Sequence, residues 1–144
     1  MKVFSLTVRA TLLFLIVSGA AMALTVRPVS PEQVLANSDM IVAGTVVKSD
    51  ARWIDANQSM IGTDYTITLD RIIHDPDNLF GKKRAGESIV LTFAGGTIGE
   101  KWVAIPGIPK YEIGEQAIFF VDKKELHSIS PLTGVTAGDC RVSR

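Results

Sequence analysis

Cysteine is almost absent from this chain of 144 residues, in which Cys140 stands alone. One cysteine excludes an internal disulfide, so the fold must hold without covalent cross-links. Three roles remain open for it. We favour a small apolar side chain packed near the last strand, because free cysteine packs well in protein interiors. An odd cysteine in an exported protein also permits a disulfide-linked dimer, and a reactive nucleophile is the third role.

Histidine is scarce too, and His74 and His127 fit no zinc-binding motif. We expect His74 in a solvated turn and His127 on the exposed face of a late strand. A small hydrolase that uses Cys140 and one histidine is the enzymatic alternative, because residues distant in sequence can meet in the fold. It is the weaker hypothesis, since a lone cysteine near the chain end is its only support.

Other catalytic and ligand-binding motifs are missing. The sequence has no G-x-S-x-G, no S-x-x-K and no P-loop, since the glycines at 95, 96 and 99 lead into Glu100 and Lys101. Residues 75–78 (Asp-Pro-Asp-Asn) begin like a calcium loop but lack its later ligands, so they predict an ordinary turn. We therefore expect no catalytic residues, no metal and no cofactor.

Neither charge sign is in excess, because the chain has 15 basic and 15 acidic residues. Removal of the first 23 residues, which contain Lys2 and Arg9, would leave 13 basic against 15 acidic residues. Nucleic-acid binding needs a basic surface, and anchoring to anionic lipid needs a basic cluster next to the membrane. The sequence favours neither kind of partner.

Long apolar runs are also lacking, and the longest, residues 10–17, is far below the ~20 residues of a membrane-spanning helix. It follows Lys2 and Arg9 and precedes small residues that include Ala21 and Ala23 in an A-x-A arrangement. This order is typical of a cleaved signal peptide. We expect a signal peptide over residues 1–23 and one exported domain over 24–144, in the periplasm or the medium.

The remaining sequence predicts one short helix. Ser30 is suited to cap a helix over residues 30–36, with Pro31 at its first turn and Gln33 as capping-box partner. Asn37 is suited to end it in a left-handed conformation. A helix this short must dock on other structure to be stable.

Strand-forming runs separated by glycine-rich turns make up the rest of the chain. Residues 63–73 alternate apolar and polar side chains, which predicts a strand with one buried face. Gly44 interrupts the first run and indicates a bulge or bend. The predicted strands are residues 40–47, 63–73, 88–93, 101–105, 117–121, 126–130 and 138–142. Seven short strands predict an all-β domain, a small OB-like barrel or, alternatively, a β-sandwich.

The order of these segments resembles two families. Residues 38–47 (SDMIVAGTVV), then 66–73, Leu79-Phe80-Gly81 and 89–93, are similar to the netrin-like module of the tissue inhibitors of metalloproteinases, which is an OB-type barrel. The Gly95-Gly96 pair, the Pro-Gly-Ile-Pro at 106–109 and the Gly-Glu at 114–115 resemble small exported bacterial β-barrel domains of unassigned activity. Those inhibitors bind the protease metal through an N-terminal cysteine. The mature form of this chain would begin with Leu24 and has only Cys140, so no inhibitory residue carries over.

The turn-rich stretch after Gly95 contains the best candidates for a contact surface. Aromatic side chains contribute binding energy when they are exposed, and prolines make a loop rigid. The candidate binding residues are Trp102, Ile108, Lys110 and Tyr111, in the loops 95–102 and 106–111. We expect a non-enzymatic module that binds a protein partner, such as a secreted protease. A structural subunit that pairs through an edge strand or Cys140 is the alternative.

Overall fold

Seven strands and two short helical segments make up the part of the chain that the computed structural model describes, residues 30–134 and 139–141. The predicted signal peptide lies outside these residues. The elements are α1 (Pro31–Asn37), β1 (Met40–Trp53), β2 (Ile61–His74), β3 (Ser88–Ala94), β4 (Gly96–Ile98), β5 (Lys101–Val103), β6 (Gln116–Val121), a 3-10 turn (Lys123–Glu125) and β7 (Asp139–Arg141). None of the helices among them has the length and apolarity that crossing a bilayer requires.

The helix confirms the predicted capping box. The Gln33 amide donates to Ser30 Oγ, and the Gln33 side chain accepts from the Ser30 amide, each at 3.3 Å. The predicted left-handed end at Asn37 is wrong, because Asn37 is helical and Ser38 ends the helix in an extended conformation. Ser38 Oγ donates to Val34 O at 2.6 Å and lies 2.9 Å from Thr133 Oγ1, which ties the helix to the sheet.

Five strands form one antiparallel sheet in the order β3-β2-β1-β6-β7. β1 pairs with β2 from Ile41 to Trp53 but with β6 only from Met40 to Thr45. The register between β1 and β2 shifts at Gly44, which confirms the predicted bulge. Bulges bend a strand and increase its twist, so they help the sheet to curl.

The curled sheet forms a half-barrel, which agrees with the predicted small all-β barrel. Segment 129–133 links its two sides, since the Ala94 amide donates to Ile129 O and the Thr133 amide donates to Phe120 O, each at 2.8 Å. Residues 126–130 are therefore turns after the 3-10 segment, and the strand predicted there is wrong. β4 was not predicted as a strand.

Alternating side chains of the sheet fill the core. Leu69, Ile67 and Tyr65 of β2 are buried, and the polar residues between them are only partly so. This pattern confirms the predicted buried face. The other fully buried large side chains include Met40, Val42, Val46, Leu91, Phe93, Phe119, Val121 and Leu132.

Candidate functional site

A groove of about 370 Å³ opens on the inner face of the sheet, beside the hairpin of β4 and β5. Ala51, Thr63, Tyr65 and Phe93 belong to its floor, which three neighbouring strands contribute. Residues 95–97, 103–105 and 108–110 form its walls. Lys110 is the only charged residue in this lining. The groove lining is therefore mainly uncharged, and the aromatic side chains at its floor, Tyr65 and Phe93, are almost completely buried.

Two glycines let the hairpin lie close to the floor. The Gly95 amide donates to Ile61 O at 2.7 Å, and Thr63 Oγ1 donates to Gly95 O at 2.7 Å. Gly96 has φ 140°, and a Cβ there would collide with Thr63 Oγ1 and approach Ile61 within 3.2 Å. Only glycine satisfies both the backbone angle and the close approach.

The hairpin presents one large side chain to solvent. Lys101 places its ammonium 5.3 Å from the centre of the Trp53 ring, a cation–π distance that holds the hairpin against the end of β1. Trp102, the next residue, is 71% exposed. It pairs with Thr97, which lines the groove, so the Trp102 ring lies on the hairpin that walls the groove.

The proline-containing loop forms the opposite wall. Gly107 has φ 86°, and the Ile108 amide donates to Ile105 O at 3.2 Å, which closes a turn. Ile108 is partly buried against the core and also lines the groove, and Lys110 is exposed at the rim. Two of the four predicted contact residues therefore line the groove itself.

Tyr111 is buried to 5% exposure and lies in the core. Its ring makes edge-to-face contacts with Tyr65, Phe93 and Phe119 at centroid distances of 5.3, 5.6 and 5.4 Å. The Tyr111 amide donates to Tyr65 Oη at 3.4 Å. This side chain anchors the end of the loop in the core and leaves little surface for a partner.

Charged residues lie instead on the outer face of β1 and β2. Arg52 Nε donates to Asp64 Oδ2 at 2.6 Å, and Thr92 Oγ1 donates to Asp64 Oδ1 at 2.7 Å. The hydrogen bond to Asp64 and its negative charge raise the pKa of Arg52. Lys48 and Asp50 form a second ion pair at 2.5 Å, and both side chains are more than half exposed.

The two histidines and Cys140 belong to three different elements of the fold. Cys140 is exposed on β7, so the favoured prediction that it packs inside is wrong. His74 is the last residue of β2 and is exposed. In the sheet, β1 and β6 lie between β2 and β7, the strand that contains Cys140. His127 is exposed in the turn after the 3-10 segment, and not in a strand as predicted. Among residues 30–134 and 139–141, no group of three or more histidine, cysteine or acidic side chains could hold a metal ion.

Residues 75–78 form the predicted turn. The Asn78 amide donates to Asp75 O at 3.4 Å, and the Leu79 amide donates to Asp75 Oδ1 at 2.9 Å. The Asp75 carboxylate therefore caps the turn by accepting a backbone hydrogen bond, which is an ordinary role for aspartate.

The lining of the groove by Ser49 and Ala51 was not predicted from the sequence. These residues belong to the far half of β1, beyond the end of the predicted strand. The signal was present, because Lys48, Asp50 and Arg52 alternate with Ser49 and Ala51, and this period of two continues the strand beyond Val47. The charged residues concealed it, since strands are usually recognised by β-branched and aromatic side chains.

Comparisons of the chain with models of protein families, with curated proteins and with solved structures find no match. The resemblance to netrin-like modules and to exported bacterial barrels stays a prediction.

Proposed function

We propose that this protein is an exported interaction module without catalytic activity, which binds a protein partner across the groove and the β4–β5 hairpin. A secreted protease is the kind of partner that we expect. The observation that carries this proposal is Trp102, which leaves 71% of its surface in solvent on a hairpin that walls the groove. Exposed tryptophans are enriched among the residues that dominate binding energy at protein interfaces.

The shape and chemistry of the surface support a macromolecular partner. A protein segment could enter the groove, whose lining includes a single charged residue, Lys110. Lys110 at the rim would favour an acidic group on the partner. The hydrogen bonds of Gly95 and the turn at Gly107 hold both walls in place before binding, which lowers the entropic cost of association.

The proposal is tested by affinity capture from periplasmic and culture-supernatant extracts, with mass spectrometry of the bound proteins. Trp102→Ala should reduce recovery of a specific partner at least about tenfold, because loss of an interface hot spot typically costs 2 kcal/mol or more. Leu35→Ala is the matched control. Leu35 is 55% exposed on α1, outside the groove lining, so its loss should leave recovery unchanged.

Lys110→Glu tests the charge of the same surface. If the partner carries an acidic group at the rim, this reversal should weaken capture and reduce its sensitivity to salt. Equal recovery by wild type, Trp102→Ala and Lys110→Glu would exclude this surface as the binding site. An extract that yields no specific protein with the wild type would contradict the proposed function itself.

A further inference from the structure

The far half of β1 has a free hydrogen-bonding edge in the described part of the chain. β6 accompanies β1 only as far as Thr45, and Val46 is then held by Glu115 O and the Gly114 amide at 2.9 and 2.7 Å. Beyond that point β1 is paired with β2 alone, from Lys48 to Trp53. Residues 47–52 are all exposed. Such an edge is a template for another strand.

The backbone groups that face this edge can be assigned. The Ile54 amide donates to Met60 O at 3.0 Å, which marks a hydrogen-bonded pair between the two strands. Hydrogen-bonded and non-hydrogen-bonded pairs alternate along an antiparallel ladder. With the observed register, the N–H and C=O groups of Ser49, Ala51 and Trp53 therefore point away from β2. The side chains of Ser49 and Ala51 line the groove.

Charge along the edge has a self-complementary order. Lys48, Asp50 and Arg52 alternate with the groove-lining residues, so their side chains project from the outer face with signs plus, minus, plus. An added antiparallel strand with the same sequence can align so that Ser49 faces Ser49, which sets Lys48 of each copy opposite Asp50 of the other. It can also align so that Ala51 faces Ala51, which sets Asp50 opposite Arg52.

Exposed apolar side chains flank the edge at both ends. Val47 is 45% exposed at the near end, and Ile113, 68% exposed, belongs to the turn whose next residue bonds Val46. Ile54, 38% exposed, follows β1 at the far end. Natural edge strands that stay unpaired are short, covered, or marked by charges, prolines or bulges. Here the bulge lies only at the near end, between Val46 and Lys48, and the charges beyond it alternate in sign. This edge combines backbone groups that no described residue pairs, apolar flanks and alternating charges, which also form the ion pairs Lys48–Asp50 and Arg52–Asp64 within the chain.

We infer that a second copy of this chain pairs with the free edge of β1, so that two half-barrels join through antiparallel β1 strands about a two-fold axis. An isologous contact of this kind uses the same residues on both copies. The partner strand would run along the open side of each groove, next to Ser49 and Ala51. The inference does not rest on the proposed function, because it needs no foreign partner, although Ser49 and Ala51 of the edge also line the groove.

Sedimentation velocity of the purified protein over a wide range of concentrations, in reducing buffer, tests the inference. We expect a reversible dimer. Asp50→Lys places like charges opposite each other in both favoured alignments and should weaken the dimer at least about tenfold, since like charges directly opposite destabilise paired strands. The matched control is Asp77→Lys, the same charge change at an exposed turn residue, which should leave the dimer intact.

A mixing experiment separates loss of the interface from loss of the fold. The variant with Lys48→Glu and Arg52→Glu carries only negative charges along the edge, and Asp50→Lys carries only positive ones. Each alone should dimerise more weakly than the wild type, and an equimolar mixture should restore the dimer. A wild type that stays monomeric at every concentration would overturn the inference, as would a dimer that Asp50→Lys leaves unchanged.

Single cysteines report the alignment. In a Cys140→Ser background, Ser49→Cys should cross-link under oxidation if Ser49 faces Ser49, and Ala51→Cys if Ala51 faces Ala51. Hydrogen-bonded pairs have Cα atoms about 5.5 Å apart, within the range that a disulfide spans. Ser128→Cys in the same background should not cross-link. Cross-linking at neither edge position, or equally at Ser128, would contradict pairing through β1.

Discussion

Gly44 lies at the bulge in β1, where the neighbouring atoms leave no room for a side chain. A Cβ at this position would lie 2.5 Å from Ile67 Cγ2 and 2.7 Å from Thr68 O. One of the two obstacles is backbone and cannot rotate away. The backbone of Gly44 is compatible with other residues, because its φ is not positive. Close packing, and not conformational freedom, therefore requires glycine here.

We expect Gly44→Ala to lower the free energy of unfolding by about 1–3 kcal/mol, the usual cost of overpacking a core. Gly62→Ala is the comparison, because its Cβ would approach only one atom within 3 Å, the branch methyl Ile54 Cγ2 at 2.5 Å, and the exposed Ile54 side chain can change its rotamer. Its cost should be below about 1 kcal/mol. Urea denaturation of both variants measures the difference, and equal losses would refute this account of Gly44.

The exposure of Cys140 and the burial of Tyr111 are both the opposite of what the sequence predicts. Cys140 belongs to a residue type that is often buried, yet it is exposed on β7. Tyr111 was a candidate contact residue, yet it is buried among three aromatic rings. Sequence alone could not distinguish these cases, because the burial of a single side chain depends on strands far away along the chain.

The connection between β1 and β2 depends on one carboxylate. Asp55 accepts hydrogen bonds from Ser59 Oγ at 2.6 Å and from the Ser59 and Met60 amides at 2.9 and 2.8 Å. The side-chain hydrogen bond from Ser59, with the amide of Met60, holds the pKa of Asp55 below its ordinary value. This loop brings together the two longest strands of the sheet.

Because the pKa of Asp55 is lower in the folded state, its stabilising effect is complete above the ordinary aspartate pKa of about 3.9 and is lost as the pH falls through the folded-state pKa. Ser59→Ala removes the largest cause of the shift, so the pKa of Asp55 should rise toward its ordinary value. An NMR titration of the Asp55 carboxyl carbon measures this. Ser128→Ala is the control, and a Ser59→Ala titration identical to wild type would rule out the explanation.

Among the elements, those with a local signal were predicted well. The helix at Pro31–Asn37 follows from its capping box, and β2 follows from its alternation. The strand predicted at residues 126–130 failed, because Ile129 makes a single backbone hydrogen bond to the end of β3 and Ser128 bonds back to Glu125 in a turn. β4 was missed because glycine, its first residue, has low strand propensity and is there for close approach.

At the scale of the molecule, Tyr111 joins the loop of the groove to the core. Its ring partners come from β2, β3 and β6, so one side chain connects both sides of the curled sheet. The groove wall at residues 103–105 and 108–110 depends on this anchor, because the chain enters the core at its end.

Tyr111→Ala should lower the free energy of unfolding by about 3–5 kcal/mol, as for other large aromatic side chains removed from cores. Trp102→Ala should change it by at most about 0.5 kcal/mol, because the ring is mostly in solvent. Chemical denaturation followed by circular dichroism gives both values. A loss below about 1 kcal/mol for Tyr111→Ala would show that the aromatic cluster does not hold the half-barrel together.

The sequence by itself determined the class of fold, the capped helix, the bulge at Gly44 and the buried face of β2, because each depends on residues within a few positions of one another. The tertiary structure alone decided the groove, the edge of β1 that no other described strand pairs, the exposure of Cys140 and the burial of Tyr111. The edge arises because β1 continues beyond its last residue paired with β6, and the groove arises where the loop that precedes Tyr111 enters the core. They depend on contacts between segments that are distant along the chain, and the local pattern of side chains does not specify those contacts.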